Sequence, residues 1–305
     1  MIVVVFRRLV QTAFVLLILM TLTFWLLHIL PGGPFETEES LPPEVKASLE
    51  ARFHLNKPIL EQYFVYLKSL GMGDLGPSYA NADQTTLEIM TSNLPVTLKL
   101  GLASLILSFC LGLPLGIFAA RHYNGWGDRL AMAVAATGVS FPIFLVGPLL
   151  VLFFSFYLDW LPPGLLQNPF SYVLPVLTLA FKPAALIGRL VRATALDTIH
   201  SDFIRTARAS GLNETKIFYK YILKNSLIPV LGITGPLTAS ILSGSFVVEL
   251  IFALPGLGHH YIESVTNRDY PLILALTLFF AVMLCMANLL ADLISMAVDP
   301  RVRAT

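Results

Sequence analysis

Long apolar runs separated by polar segments organise this chain. Five runs contain no Asp, Glu, Lys or Arg, and they are Leu9–Phe35, Leu100–Ala120, Leu130–Leu158, Asn225–Val248 and Tyr270–Ala291. A sixth run, Ser171–Val191, is interrupted by Lys182 and Arg189. A helix needs about 20 apolar residues to cross a bilayer, and each run supplies them. Alternating segments of about 10 residues, which transmembrane strands would show, are not seen. The pattern predicts an all-α integral membrane protein with six transmembrane helices.

Composition supports a membrane protein. Apolar residues make up 56% of the chain, charged residues make up 13%, and the mean hydropathy is +0.74. Soluble domains are usually about 45–50% apolar and about 25% charged. The first run, from Leu9 to Leu30, exceeds the roughly 7–15 apolar residues of a secretion signal. It ends at Pro31 without an A-x-A-like cleavage site. We therefore expect an uncleaved first span.

Basic and non-basic loops alternate along the chain, and this alternation sets the orientation. The N-terminus carries Arg7 and Arg8, whereas residues 36–88 contain nine acidic residues against four basic ones. Residues 189–224, which begin at the end of the run Ser171–Val191, contain three acidic residues against seven basic ones, which are Arg189, Arg192, Arg205, Arg208, Lys216, Lys220 and Lys224. Basic loops stay in the cytoplasm, so we expect a multi-pass protein of the cytoplasmic (inner) membrane with both termini cytoplasmic.

The loop after the first span is long enough to hold structure of its own. Pro42 and Pro43 precede a predicted helix over Glu44–Arg52, and Pro58–Leu70 predicts an amphipathic helix. The apolar stripe of that second helix consists of Leu60, Phe64 and Leu67. The loop is expected to form a small cap on the outer face. It is either a docking surface for an extracytoplasmic partner or a plug over the helix ends.

Several residues inside the predicted spans have both a packing and a functional interpretation. Gly112 and Gly116 are spaced so that two helix backbones can approach closely, with a gating hinge as the alternative. Cys110 and Cys285 are expected to be small packing residues rather than a disulfide or a metal site. Lys182 lies seven residues before Arg189, which is about 10 Å along a helix. Its side chain either reaches the basic end of the span or lines a conduit.

A polar, basic segment between the fourth and fifth spans predicts two short helices. Ser201 or Asp202 can cap a helix that runs to Ala209, and Gly211 can end it in the left-handed conformation. Asn213 can cap the second helix. The first helix carries an apolar stripe beside two arginines, formed by Phe203, Ile204 and Ala207 next to Arg205 and Arg208. Such a helix suits either a groove on an acidic protein or a surface of anionic headgroups.

Enzymatic and metal chemistry find little support. The six histidines form no H-E-x-x-H pattern, and no Gly is followed by Lys, so a Walker A phosphate loop is absent from the sequence. The chain is therefore not expected to be an enzyme or to bind ATP itself. A secondary, ion-coupled transporter is the alternative of a different class, but such carriers usually show several intramembrane ionisable groups.

The basic segment resembles the EAA loop of binding-protein-dependent ABC importer permeases, in the form of the peptide group. That form runs approximately Y-I-R-T-A-R-A-K-G-L, and this chain has Phe203, Ile204, Arg205, Thr206, Ala207, Arg208, Ala209, Ser210, Gly211 and Leu212. A basic stretch then ends at Asn225, Leu227 and Pro229. The name-giving Glu-Ala-Ala falls on Arg205, Thr206 and Ala207, so only the last Ala is kept.

Other motifs of the family follow in order. The closing third resembles the family at Glu249, Pro255, Gly256 and Gly258, at Arg268, Asp269 and Tyr270, and at Asp299, Pro300 and Arg301. The segment from Leu41 to Val45 is most similar to oligopeptide permeases. Dipeptide and nickel permeases are close relatives and remain alternatives.

The resemblance implies a type I importer permease that moves oligopeptides. Its domains would be an N-terminal end with the first span (1–30), an outer loop (31–93), a five-helix domain (94–293) and a cytoplasmic tail (294–305). Residues from about 195 to 226 would form the loop that couples it to the ATPases, with Phe203 to Ala209, Gly211 and Leu212 as the coupling residues. The implied partners are a second homologous permease, two cytoplasmic ATPases that use ATP and Mg²⁺, an extracytoplasmic binding protein, a peptide and the bilayer. Nucleic acid, a metal site and catalytic residues are not implied.

Overall fold

The structure is a computed structural model that describes residues 2–35, 44, 48, 50, 51, 53, 55–81 and 83–298. Within these residues the regular elements are helices, and no β-strand is present. The helices are α1 (Ile2–Ile29), α2 (Ile59–Gly71), α3 (Thr86–Arg121), α4 (Trp126–Ser140), α5 (Ile143–Leu150), α6 (Val173–Ile199), α7 (Asp202–Ala209), α8 (Glu214–Ile217), α9 (Lys224–Gly232), α10 (Thr234–Ile251), α11 (Leu257–Thr266) and α12 (Tyr270–Val298).

Some expectations from the sequence fall outside the described residues. The segments Leu41–Pro43 and Asp299–Arg301 lie there entirely. Of the predicted helix Glu44–Arg52, only residues 44, 48, 50 and 51 are described, and these are helical.

Five helical segments are long and apolar enough to cross a membrane, and a bent pair supplies a sixth span if it is counted as one. The five are Phe6–Ile29, Thr86–Arg121, Pro169–Ile199, Thr234–Ile251 and Tyr270–Ile294. These spans confirm the all-helical membrane fold predicted from the sequence.

The third predicted span, Leu130–Leu158, is not one continuous helix. It consists of Trp126–Ser140 and Ile143–Tyr157, and the chain bends by 109° between them. Phe141 is extended, with φ −74° and ψ 127°, and Pro142 follows it. Proline lacks an N–H and disfavours helical backbone in the residue before it, so the helix breaks here. The sequence predicted one span here, and the structure shows that it is sharply bent at Phe141 and Pro142.

The described chain divides into two compact units. The first comprises residues 98–254 and 284–298. Its central helix is α6, which packs against α4, α5, α9 and α10. A Cβ added to Gly112 would lie 2.6 Å from Ala184 O, and one added to Gly116 would lie 2.5 Å from Gly188 O. The predicted close approach of two backbones is therefore confirmed, and it holds α3 against α6.

The two cysteines differ from expectation in one respect. Cys285 is half-buried, whereas Cys110 lies exposed on α3. Cys110 was expected to be a small packing residue, and in the single chain it lies on the surface. The helix face that packs on α6 is the one that carries Gly112 and Gly116, and Cys110 lies off that face.

The second unit comprises residues 2–97 and 255–283 within the described chain. Its core joins Phe24 and Leu27 of α1 to the start of α12, at Tyr270, Ile273 and Leu274. Tyrosines 63, 66 and 79 pack against this cluster from the loop after α1.

Helix α2 confirms the predicted helix over Pro58–Leu70, but a different face of it packs. Leu60 is 60% exposed and Phe64 is 65% exposed. The packed face is formed by Tyr63, whose ring centroid lies 5.2 Å from that of Phe24, and Tyr66, at 6.0 Å. Aromatic stacking and the hydrogen bond between the Tyr63 and Thr21 hydroxyls at 2.7 Å select this face.

Candidate functional site

The basic segment folds as a helix, a tight turn and a second helix. Helix α7 begins after Ser201, which is extended, but the Ser201 hydroxyl donates to Thr198 O at 2.6 Å and does not cap α7. Gly211 has φ +76°, and its N–H donates to Arg208 O at 2.9 Å. The predicted left-handed glycine is confirmed. We call residues 209–213 the elbow.

The second helix is capped as the sequence predicts. Asn213 Oδ1 accepts the backbone N–H of Thr215 at 2.8 Å, which satisfies one of the free donors at the start of α8. The chain continues from α8 through a π-helical turn, Phe218–Leu223, into α9. An unbroken helical connection therefore runs from the end of the elbow into the next apolar segment.

Two of the three residues in the predicted apolar stripe of α7 are buried within the chain. Ile204 is fully buried and Ala207 is 9% exposed. They pack in a cluster with residues from three neighbouring segments, namely Ala120, Ala195, Ile217, Phe218 and Ile222. Of this stripe, Phe203 therefore remains available to a groove on a partner or to anionic headgroups, the two alternatives that the sequence left open. The elbow folds the second helix back over α7, and the apolar face closes on itself.

The outer side of α7 remains exposed. Phe203 is 48% exposed, and Arg205, Thr206, Ala209 and Gly211 are exposed as well. Arg205 keeps only a 3.8 Å contact with Asp202, and its side chain is 73% exposed. This side therefore presents one large apolar group and one extended cation.

The two arginines of α7 play different structural roles. Arg208 Nε donates to Glu214 Oε1 at 2.7 Å, and a terminal guanidinium nitrogen donates to Oε2 at 3.3 Å. This bidentate pair crosses the elbow and braces it. The hydrogen bonds to Glu214 also raise the pKa of Arg208. Arg205, which lies one turn earlier, makes no comparable bond in the described residues and is the cation that faces outward.

Residues that sequence reasoning missed fasten the helical segment after the elbow to the long helices. The Arg121 guanidinium lies 4.3 Å from the ring centroid of Phe218. Thr194 Oγ1 on α6 donates to Ser226 O on α9 at 3.1 Å. The only signal for these contacts was the position of Arg121 at the end of an apolar run.

A second fastening is an ion pair near the end of α6. Arg192 donates to Asp128 through two nitrogens, at 2.5 Å and 2.7 Å, and Asp128 is only 3% exposed. Asp128 Oδ2 also accepts the N–H of Asn124 at 3.0 Å. Asp128 was visible in the sequence as an acid within an otherwise basic loop, but its partner lies 64 residues away. The pair fixes the end of α6 to the start of α4.

The family motifs of the closing third fall into both units. Glu249 is fully buried on α10 in the first unit, and its carbonyl accepts the N–H of Leu254 at 2.9 Å. Pro255, Gly256 and Gly258 lie in the second unit, where Gly256 precedes α11. The next N–H, that of Leu257, donates to Thr97 Oγ1 at 2.8 Å. These motif residues shape the ends of helices in the described structure.

Asp269 joins the start of α12 to the outer loop, and we call residues 268–270 the connector. Its fully buried carboxylate accepts the Ser78 hydroxyl, the N–H of Tyr79 at 3.0 Å and the N–H of Ala80 at 3.4 Å. It also accepts the N–H of Leu272 at 3.4 Å, as a helix cap does. Burial, and secondarily the Asp269 charge, raise the pKa of Tyr79.

The neighbours of Asp269 complete the connector. Arg268 has φ +52° and donates to Gly33 O at 3.3 Å, while the Tyr270 hydroxyl donates to Gly32 O at 3.5 Å. Sequence reasoning grouped Arg268, Asp269 and Tyr270 as one motif, and the structure shows them holding the outer loop together within the second unit.

Lys182 lies exposed on α6, next to the buried Pro183 and Ala184. It is not brought together with the elbow residues in any described contact. Among the described residues, no group of His, Cys, Asp or Glu is arranged to hold a metal ion.

The chain was compared with protein families, characterised proteins and solved structures. It matches the family described as binding-protein-dependent transport system inner membrane component over residues 112–304, and its N-terminal family over residues 1–101. It is 40% identical over 301 residues to the oligopeptide transport system permease protein OppB of Escherichia coli (strain K12), covering 98% of each chain. The OppB of Haemophilus influenzae is 38% identical with the same coverage. The dipeptide transport system permease protein DppB of Bacillus subtilis is 39% identical, covering 97% of this chain and 96% of the relative.

Solved structures agree on the fold. A chain of the MetNI methionine ABC transporter, in an inward-facing conformation, superposes with a TM-score of 0.59 at 17% identity, covering 69% of this chain and 96% of that one. A chain of an amino acid ABC transporter superposes with a TM-score of 0.56 at 18% identity, covering 68% and 94%. The fold is that of a type I ABC importer permease. The chain belongs to the family of binding-protein-dependent transport system inner membrane components.

Proposed function

We propose that this chain is a pore-forming permease subunit of an ABC importer that moves oligopeptides across the cytoplasmic membrane. The identity of 38–40% over nearly the whole length to two oligopeptide permeases supports this substrate class. A dipeptide importer is the second candidate, because the dipeptide permease of Bacillus subtilis is 39% identical. Nickel is the third, carried only by the resemblance of the motifs.

The mechanism is supported by the exposed outer side of α7, which the elbow holds in place. Phe203 and Arg205 project from α7, while Ile204 and Ala207 anchor the same helix inside the chain. A short helix with one apolar and one cationic contact suits a groove on a partner protein. We propose that the coupling residues, Phe203 to Ala209 with Gly211 and Leu212, have two roles. The outward-facing residues contact an ATPase subunit, and the buried ones transmit the movement of that subunit to the rest of the chain.

The movement has a defined route in the first unit. The Arg192–Asp128 ion pair fixes the end of α6, and the Thr194–Ser226 hydrogen bond joins α6 to α9. ATP and Mg²⁺ would be bound by two separate ATPase subunits, whose closure would push on the elbow. The push would reach α6 and α9 together, because both are fastened to the same loop. Alternating exposure of a conduit to the two sides would follow from this coupled motion.

The remaining parts of the proposal follow from orientation. With both termini in the cytoplasm, the elbow faces the ATPases and the loop within residues 31–93 faces outward. We propose that the chain consists of an N-terminal end with the first span (1–30), an outer loop (31–93), a five-helix domain (94–293) and a cytoplasmic tail (294–305). A second homologous permease would complete the conduit, and a binding protein would deliver the peptide to the outer face. Lys182, exposed on α6, is the candidate for a residue on the translocation path.

Charge reversal at Arg205 tests the coupling role. In liposomes containing this chain, its permease partner and the ATPases, Arg205→Glu is expected to lower binding-protein-stimulated ATP hydrolysis and peptide uptake by at least about tenfold, the effect of losing roughly 1.4 kcal/mol of contact energy. The matched control is Lys224→Glu, an exposed lysine of the same basic segment outside α7, which should leave both rates unchanged. Wild-type uptake by the Arg205 variant would contradict the proposal. Uptake that follows an ion gradient without ATPase subunits would instead favour a secondary carrier.

A further inference from the structure

Helices α3 and α6 of the first unit run side by side in a constant register. Four contacts between them join positions 72 apart, and they are Ser104 with Val176, Ser108 with Ala180, Gly112 with Ala184 and Gly116 with Gly188. The two hydroxyl oxygens lie 3.5 Å and 3.3 Å from the carbonyl oxygens opposite them. Because the offset is the same throughout, the helices are parallel, and each residue of α6 is level with the residue of α3 that is 72 positions earlier.

This register gives the depth of Lys182 in the membrane. Lys182 is level with Cys110, which lies midway between Lys99 and Arg121, the two charges that bound the apolar run Leu100–Ala120. At 1.5 Å per residue, α3 measures about 33 Å from one of these charges to the other. The hydrocarbon core of a bilayer is about 30 Å thick, so the two charges mark its boundaries. Lys182 therefore lies near the middle of the bilayer, about 17 Å from either boundary.

A lysine at this depth cannot bring its charge to either surface of the membrane. Its stem of four methylene groups spans less than half of the distance to a boundary. Arg189 differs, because it is level with residue 117 and lies about 6 Å from the boundary at Arg121, within reach of its long side chain. The register therefore favours the second of the two interpretations that the sequence left open for Lys182, a charge that lines a conduit.

The exposed faces of α3 and α6 differ in polarity. From the middle of the bilayer to the end of α6, one side of this helix carries a series of exposed residues without a large apolar side chain, namely Lys182, Arg189, Ala193, Asp197 and His200. The exposed side of α3 carries large apolar residues instead, namely Leu102, Ile106, Leu111 and Phe118. Ionisable residues within a membrane usually face a cavity or the interior of a bundle. The contrast indicates lipid beside α3 and water beside this face of α6.

Lys182 has no anionic partner of its own. Its side chain is exposed, and it forms no ion pair or hydrogen bond within the part of the chain that the structure describes. Asp197, on the same face of α6, lies 15 residues away, which is about 22 Å along the helix. A lysine and a carboxylate form strong, charge-assisted hydrogen bonds. A carboxylate brought into the conduit from outside the chain would therefore be attracted to Lys182.

We propose that Lys182 binds a carboxylate of the peptide at the middle of the conduit. Its Nζ donates to the carboxylate oxygens, and its charge repels the free ammonium group at the other end of the same peptide. The peptide is thus held by its carboxylate while the conduit changes from one side to the other. The peptide as the ligand rests on the proposed function, whereas the exposure of Lys182 to water does not.

Cysteine accessibility tests whether position 182 faces water. Lys182→Cys is placed in an otherwise cysteine-free transporter, with both permeases and both ATPases in proteoliposomes. We expect the anionic, water-soluble reagent methanethiosulfonate ethylsulfonate, added on both sides of the membrane, to modify it in the nucleotide-free or the ATP-bound state. Ala184→Cys is the matched control, because Ala184 is buried two residues further along α6 and should not react. No reaction of Lys182→Cys in either state would place it against lipid or protein and would overturn the proposal.

Uptake of matched peptides tests the carboxylate. The probes are the free acid Ala-Phe-Ala and its C-terminal amide, delivered by the same binding protein, so that the preference of that protein is the same for every permease variant. In Lys182→Met, the ratio of the uptake kcat/KM for the acid to that for the amide is expected to fall about tenfold below the wild-type ratio, the scale of one hydrogen bond to a charged group. Lys182→Arg should keep the wild-type ratio. Lys99→Met should keep it too, because Lys99 is an exposed lysine at the boundary of the bilayer.

A third peptide, Ala-Glu-Ala-amide, identifies which carboxylate is bound. If its uptake falls in Lys182→Met, a side-chain carboxylate also binds; if only Ala-Phe-Ala is affected, the C-terminal carboxylate is the ligand. An unchanged acid-to-amide ratio in Lys182→Met would overturn the proposal. An equal loss for all three peptides would overturn it as well, because it would indicate that Lys182 pairs with a carboxylate of the second permease. Failure of the proposed function would look different, since the wild-type transporter would then take up none of the peptides with ATP, whereas the cysteine measurement would stand.

Discussion

The elbow and the connector are both short turns between helices, yet they use their polar residues in opposite ways. The elbow is braced from its two sides by one ion pair, Arg208–Glu214, and Arg205 on the helix before it stays 73% exposed. The connector buries Asp269 completely and bonds its carboxylate to Ser78 and several backbone N–H groups. Both turns belong to family motifs, but a buried, fully bonded group serves the fold, whereas an exposed cation on a braced turn is available to a partner.

The connector should give the largest loss of stability. Asp269→Ala leaves buried donors unsatisfied, and because one unsatisfied buried group costs roughly 1–3 kcal/mol, we expect a loss of about 3 kcal/mol or more. Thermal unfolding of the purified protein in detergent measures it. Asp74→Asn is the matched control, because Asp74 is exposed and bonds only Gly76 N–H in the contacts described. If Asp269→Ala were obtained in full yield with an unchanged melting temperature, the connector would not have the stabilising role that distinguishes it from the elbow.

Breaking the ion pair near the end of α6 should give the second-largest loss of stability. Asp128→Asn keeps the shape but removes the charge that faces Arg192. Breaking a buried pair costs about 3–5 kcal/mol, and Arg192 is partly exposed, so we expect about 2 kcal/mol. Loss of coupling between ATP hydrolysis and transport should accompany it. The double variant with Arg192→Gln should cost less than the two single losses added together, because it removes both charges. If the stability losses of the two single variants added up exactly in the double variant, Asp128 and Arg192 would not stabilise each other.

Substitution of Gly211 should give the third-largest loss of stability. Nothing lies within 4 Å of a Cβ placed there, so the cost is that of the φ of +76° alone. For Gly211→Ala we expect about 1–2 kcal/mol, and for Gly211→Asn less, since asparagine tolerates this conformation. Hydrogen exchange over residues 202–217 measures the local loss. Gly232→Ala, another open position with an ordinary φ, should not raise exchange. Equal exchange in the alanine variants at 211 and 232 would contradict the strained turn.

The two arginines of α7 should give the smallest effects on stability and the clearest split in function. Arg208→Gln removes an exposed pair, worth about 0.2–1 kcal/mol, and should loosen the elbow slightly. Arg205→Gln should leave hydrogen exchange unchanged but reduce stimulated ATP hydrolysis. Glu214→Gln should resemble Arg208→Gln, because it removes the other half of the brace. If Arg205→Gln and Arg208→Gln gave the same hydrogen exchange and the same stimulated ATP hydrolysis, the two arginines would not have the different roles proposed for them.

The sequence predicted what depends on local chemistry. The spans follow from apolar length, the turn at Gly211 follows from the freedom of glycine, and the cap at Asn213 follows from a short polar side chain. The break at Pro142 follows from the same kind of local rule.

Long-range contacts could not be predicted. Ile204 looked like a docking residue because nothing in a local pattern shows that Ile217 and Phe218 fold back over it. The Asp128–Arg192 and Ser78–Asp269 contacts join residues 64 and 191 positions apart. Which of several apolar stripes on α2 packs was decided by the position of Phe24 on another helix.

Accessibility of residue 210 tests the central claim most directly. Ser210 is exposed at the elbow, and Ser210→Cys can be placed in a chain whose Cys110 and Cys285 are replaced by serine. We expect a membrane-impermeant maleimide to label it in inverted vesicles but not in intact cells, and bound ATPase subunits to protect it. Labelling from the outside of intact cells, or labelling that ATPase subunits leave unchanged, would contradict the account.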